Sequence, residues 1–167
     1  MKIVIDIETL GRRNDAAITQ IGIVVADDNY KVIADKLISI SPNKWNTCNR
    51  TFTGETLIWW MQQNNSPVGN KEGYDYKGAL KVLRRIIDTY QSDTTFIYTK
   101  GVMDLFCLKD LYEYFGEEIP WLFWQPRDIR SIKDMVPNWV TIKENSHNAL
   151  EDALNELEEM KLNLGKK

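Results

Sequence analysis

Residues 17–26 (AITQIGIVVA) form a nearly unbroken run of β-branched and apolar side chains. A strand of that composition has no polar face to turn to water, so it reads as the centre of a sheet whose faces are covered. Two neighbours complete the pattern. Residues 2–7 (KIVIDI) alternate as a strand, and 31–39 (KVIADKLIS) follow the turn Asp27-Asp28-Asn29 as a third. Together they predict an antiparallel meander.

Helical periodicity takes over downstream. Residues 54–64 (GETLIWWMQQN) predict a short helix with Thr53 as N-cap. Across 76–91, Ala79, Val82, Leu83, Ile86, Ile87 and Tyr90 fall on one stripe of an amphipathic helix. Residues 95–99 (TFIYT) predict a strand, and 104–115 a helix that opens at Asp104. A short strand near 121–124, a short helix near 127–135 and a long helix from about 149 complete the prediction. Strands first, then helix–strand alternation, give an α/β fold: a mixed sheet, antiparallel meander plus parallel strands, flanked by helices.

The 167 residues show no repeat or composition break, so a single domain over 1–167 is expected. With 21 Lys+Arg against 24 Asp+Glu, the net charge of −3 argues against a protein that passively coats long nucleic acid. No apolar run nears the roughly 20 residues of a membrane span, and Asp6 and Glu8 interrupt the apolar opening as a secretory signal would not. Cys48 and Cys107 supply neither a disulfide framework nor a zinc pattern, which points to a reducing cytoplasm.

The chemistry lies in the acids. Asp6 and Glu8 are two apart on a strand and share a face, with Ile3, Ile5 and Ile7 on the other. Paired carboxylates repel unless a cation lies between them, and Mg²⁺ and Mn²⁺ prefer oxygen ligands. The competing reading is an edge strand with two solvated acids. His147 and Asp152, five apart, would stand roughly 140° apart on one helix. They converge if His147 precedes the helix, Asn148 caps it with Glu151 as capping-box partner, and Asp152 lies in its first turn. Otherwise His147 is an ordinary loop residue and Asp152 complements the helix dipole. Asp104 is either an N-cap or a third carboxylate delivered at a strand's end.

D-x-E near the N-terminus, an Asp after a mid-chain strand and H-x4-D opening the last helix resemble the histidine branch (DEDDh) of the DEDD exonucleases. More narrowly, DIETLG (6–11), AAITQIG (16–22), ETLIWW (55–60), FWQPRDIR (123–130) and HNALEDA (147–153) resemble RNase AS-type exoribonucleases and related phage 3′–5′ exonucleases. Val102-Met103 departs from the Ser-Phe these relatives often carry before the third acid.

The resemblance implies a ribonuclease-H-like fold and two Mg²⁺ or Mn²⁺ ions held by Asp6, Glu8, Asp104 and Asp152. It makes His147 the general base, and it is the only histidine in the chain. It implies substrate contacts at Thr9, Leu10, Trp59, Trp60 and Arg127, each with an open structural alternative. Thr9 and Leu10 could equally be a packed strand end. One of the two tryptophans should pack while the other stacks on a base. Arg127, with Asp128 and Arg130, could bind phosphate, contact a partner chain or form a structural ion pair. The expected substrate is the 3′ end of single-stranded nucleic acid, RNA ahead of DNA, in a bacterial or phage-infected cytosol, and a homodimer is expected. The rival readings are a non-catalytic nucleic-acid-binding module and a DNA-directed phage exonuclease or proofreading subunit.

Overall fold

A computed structural model describes residues 1–64, 66–67, 72–142 and 146–165. Strands β1 (Lys2–Thr9), β2 (Ile18–Ala26) and β3 (Val32–Ser39) form the expected meander. Helices α1 (Gly54–Met61) and α2 (Tyr76–Tyr90) precede β4 (Phe96–Thr99). Then come α3 (Met103–Tyr114), β5 (Pro126–Asp128), α4 (Ile129–Met135) and α5 (Ala149–Leu164). The sheet order is β3-β2-β1-β4-β5. β1 runs antiparallel to β2 and parallel to β4, and β5 runs parallel to β4. This is the mixed, helix-flanked sheet that the sequence predicts.

Every residue of β2 is buried, as its composition demands. Ile3, Ile5 and Ile7 enter a large core with Ile21, Ile23, Leu83, Ile87, Leu108 and Leu111. On the other face, Val4 and Val24 meet Ala153, Leu157 and Met160 of α5 in a smaller cluster. Thr53 accepts from the backbone N–H of Thr56, and Asn148 from those of Leu150 and Glu151, so both predicted N-caps are present.

Two expectations need correction. Residues 121–124 are not a strand. They turn, closed by Gln125, whose N–H donates to the Leu122 carbonyl at 3.0 Å and whose Oε1 accepts from the Leu122 N–H at 2.8 Å. The strand starts at Pro126, paired with Ile97, a partnership set by the neighbouring strand rather than by local apolarity. Proline is tolerated there because β5 is an edge strand. Helix α3 opens at Met103, with Val102 at the cap and no side-chain capping bond, so Asp104 is not the N-cap. Among the described residues, no helix is long and apolar enough to cross a membrane.

Candidate active site

The site lies where β1 ends. Asp6 pairs with Gly22 across the sheet, and Glu8 with Gln20. The absent side chain at Gly22 is what lets α5 dock, since a Cβ there would stand 2.0 Å from the Ala149 carbonyl oxygen. Gln20, buried beside Thr19 in a strand that is otherwise apolar, accepts from the Ala149 N–H at 3.3 Å. Gly22 and Gln20 thus fix the first turn of α5 against β2, and Asp152 comes with it. Both have a signal in the sequence: a glycine and a polar residue inside a run that otherwise favours large apolar side chains.

The pairing register shifts after Glu8: Thr9 faces Ile18, so Thr19 is the extra residue of a bulge in β2, and its hydroxyl donates to the Glu8 carbonyl at 3.1 Å. Glu8 and Thr9, at the end of β1, both line one cleft of about 620 Å³, with Arg12, Thr56, Trp59, Trp60 and Met103 among its other walls. The Met103 that departs from the relatives' pattern therefore shapes this wall directly.

Asp152 organises the loop before α5. One carboxylate oxygen accepts from the Ser146 N–H at 2.8 Å and its hydroxyl at 3.2 Å. The other accepts from the His147 N–H at 3.1 Å. His147 adopts φ +52°, in the left-handed region, which requires such anchoring. Its ring meets Trp59 edge-on at 4.8 Å and Trp60 at 5.9 Å between centroids. Glu8, His147 and Asp152 each offer a ligand atom within 4.8 Å of the others.

The electrostatics are those of carboxylates crowded out of water. Desolvation holds Asp6 well above its ordinary range, helped by the charges of Glu156, Asp104, Glu8 and Asp152. Glu8 is pushed up to about 8, mainly by desolvation, then by Asp152 and Asp104. Asp104 is raised to about 7 by desolvation, against an opposing pull from Arg130. Such a set fits divalent cations: oxygen donors, excess negative charge and poor access to water.

Asp6, Glu8, Asp104, His147 and Asp152 thus gather at one place. Glu156 joins them unforeseen, although its position four residues after Asp152 puts it on the same helix face and was there to be read. Both tryptophans line the cleft, but Trp59 is exposed there, whereas Trp60 is buried and donates its indole N–H to the Thr9 carbonyl at 2.9 Å. Leu10 is buried in the main core and is not among the cleft's walls. Arg127 turns away: its guanidinium lies 4.2 Å over Phe96, which pairs with Lys2 at the far end of β1. It also donates to the Trp124 and Pro126 carbonyls.

Residues 1–162 match the family of Rv2179c-like 3′–5′ exoribonuclease domains. The chain belongs to that family. The exoribonuclease-domain fold is also that of more distant solved structures. Exonuclease I of E. coli, in complex with a dT13 oligonucleotide, superposes with TM-score 0.72 at 12% identity, over 96% of this chain and 40% of that one. Exonuclease I of Methylocaldum szegediense gives TM-score 0.66 at 12% identity, over 96% and 40%. The nuclease domain of 3′hExo, a DEDDh family member bound to rAMP, gives 0.65 at 14% identity, over 96% and 90%. The chain therefore spans about 40% of the length of the exonuclease I proteins. No curated protein matches it in sequence.

Proposed function

We propose that the chain is a single metal-dependent exonuclease domain. It removes nucleotides from the 3′ end of single-stranded nucleic acid, RNA ahead of DNA, and releases nucleoside 5′-monophosphates. The observation that carries this reading is the meeting of Asp6, Glu8, Asp104, Asp152 and His147 beside an aromatic-walled cleft. Family membership supports the polarity and the preference for RNA. The oligonucleotide and nucleotide bound to exonuclease I and 3′hExo support a single-stranded 3′ end as ligand.

In this reading, Asp6, Glu8, Asp104 and Asp152 hold two Mg²⁺ or Mn²⁺ ions. When bound, the ions would stabilise charge on the attacking and leaving oxygens of an in-line displacement. His147 takes a proton from the attacking water, a role that suits imidazole near neutral pH. Asp152 keeps the His147 backbone in place, and the flanking tryptophan rings limit where the imidazole can swing. Glu8 and the backbone at Thr9 receive the terminal 3′-hydroxyl, and Trp59 offers a face for the last base. The retention of five mutually repelling or metal-seeking groups disfavours a non-catalytic module. Free, unpaired Cys48 and Cys107 fit a cytoplasmic setting. The adjacent exposed rings of Phe123 and Trp124 offer a surface on which a homodimer could close.

A matched set of labelled strands tests the reading. With Mg²⁺ or Mn²⁺, RNA ending in a 3′-hydroxyl should shorten stepwise, matched DNA should shorten more slowly, and neither should change without metal. A 3′-phosphate adds about two negative charges beside crowded carboxylates and should block digestion. Cleavage of a circular strand, or equal digestion of the 3′-phosphate strand, would overturn the assignment of 3′ polarity.

A further inference from the structure

Three acids of α5 are buried, and the protein treats them differently. Asp152 has both carboxylate oxygens engaged by Ser146 and His147. Glu159, seven residues on and 1% exposed, is also satisfied. It accepts from the Trp139 indole N–H at 2.6 Å, from Lys100 Nζ at 3.4 Å and from the Ile142 N–H at 3.3 Å. Glu156 lies between them, one helical turn after Asp152, and is 2% exposed. Its Oε2 has no hydrogen-bond partner among the described residues.

The charges that reach Glu156 sharpen the anomaly. Asp104, Asp152 and Glu159 repel it and Lys100 attracts it, while Glu156 in turn repels Asp6. Lys100 already pairs with Glu159. A buried acceptor without a donor is rare in folded proteins, and an unfilled ion or water site is one of its few physical explanations. A structural glutamate would be expected to resemble Glu159, with donors on both oxygens. Glu156 instead leaves one buried oxygen without a donor among the described residues, and its charge is felt at Asp6.

We propose that Glu156 is a fifth acidic residue of the metal centre, a positioning residue that strengthens divalent-cation binding without itself being required as a ligand. Its charge adds to that of Asp6, Asp104 and Asp152, and its free oxygen accepts from water in the ion's hydration shell. Mg²⁺ in particular keeps several waters when bound by carboxylates, so such an acceptor has something to hold. Groups that orient a metal's ligands and waters in this way usually change affinity by about 10–100-fold when removed. The inference rests on the metal-dependent reading given above.

Calorimetric titration of Mn²⁺ into the metal-free full chain tests it, using wild type, Glu156→Gln, Glu156→Met, Glu159→Gln and Asp152→Asn, with thermal unfolding of each without metal. Glu156→Gln and Glu156→Met should bind Mn²⁺ roughly 10–100-fold more weakly, with metal-free melting temperatures at or above wild type. Glu159→Gln should do the reverse, lowering the melting temperature while keeping wild-type affinity. Wild-type Mn²⁺ affinity in both Glu156 variants, alongside its loss in Asp152→Asn, would overturn the role of Glu156. So would a lowered melting temperature with unchanged affinity, which would make Glu156 a structural partner of Lys100. A wild-type chain that takes up no Mn²⁺ would instead overturn the metal-dependent reading itself.

Discussion

The two faces of β1 are built from alternate residues of one strand, yet they are stabilised in opposite ways. Ile3, Ile5 and Ile7 disappear into the main core, where burial itself is favourable. On the other face, Val4 packs against α5, but Asp6 and Glu8 further along are forced together with Asp104, Asp152 and Glu156. Apart from the hydrogen bonds that Asp152 accepts from Ser146 and His147, little about those carboxylates favours folding in the absence of a cation. Their assembly is imposed by neighbours: the missing side chain at Gly22, the Gln20 bond to α5 and the bulge at Thr19. The isoleucine face holds the fold, and the carboxylate face is held by it.

Exchanging one residue on each face should separate these roles, with the largest effect on turnover. Asp6→Asn removes charge and almost no volume, so activity should fall to background while the metal-free melting temperature stays level or rises. Ile5→Ala leaves a cavity in the main core and should cost about 2–5 kcal/mol of folding stability. The surviving folded fraction should keep its metal affinity. Oligonucleotide digestion and thermal unfolding of both variants make the check. Near-wild-type turnover in Asp6→Asn would remove Asp6 from the metal seat.

The adjacent tryptophans repeat the contrast on a smaller scale. Both border the cleft, but Trp60 is 1% exposed and bonded to Thr9, whereas Trp59 is 40% exposed. Trp60→Ala should cost about 3–5 kcal/mol of stability, as large aromatic truncations in cores do. Trp59→Ala should leave stability nearly unchanged and weaken single-strand binding by about 1–3 kcal/mol. Chemical denaturation and binding titrations distinguish the two. If Trp59→Ala only destabilises, the base platform lies elsewhere.

What the sequence made legible follows the same division. Periodicity located β1 to β4, α2 and α5, because burial imposes a period of two or 3.6 on the residues that must be inside. It failed at 121–124, where an apolar run forms a turn and the pairing with β4 begins only at Pro126. Local composition cannot show which segment a neighbouring strand will accept. The DEDDh resemblance singled out the acids and His147, but not which way nearby side chains point. Leu10 packs inward just past the end of β1, and Arg127 reaches along the sheet to Phe96. Glu156 was readable from its spacing to Asp152. What the sequence could not show is that its oxygen has no described partner, since that depends on every residue around it.

The smallest expected effect is a pH dependence that belongs to one face only. Glu8 and Asp104 have ordinary values of 4.5 and 3.8 but stand near 8 and 7 in the folded, metal-free chain, chiefly through desolvation. Between those limits the folded chain binds more protons than the unfolded one. Stability from these groups is therefore fully present below about pH 4 and is lost as pH rises through 7 to 8. The metal-free melting temperature should fall by several degrees between pH 5 and 8.5, given that roughly 1 kcal/mol moves a domain of this size by about 2–4 °C. Saturating Mg²⁺ favours the charged carboxylates and should flatten that fall. Glu8→Gln should make it shallower without metal, because the variant has no proton to lose at that position while Asp104 still titrates. Ile5→Ala should lower the whole curve and leave its slope intact, since no titrating group changes on the isoleucine face. Melting curves across pH, with and without Mg²⁺, provide the measurement. A metal-free curve that is level or rises from pH 5 to 8.5 would mean that the acids of β1 meet water more freely than their surroundings imply, and the contrast between the two faces would fail.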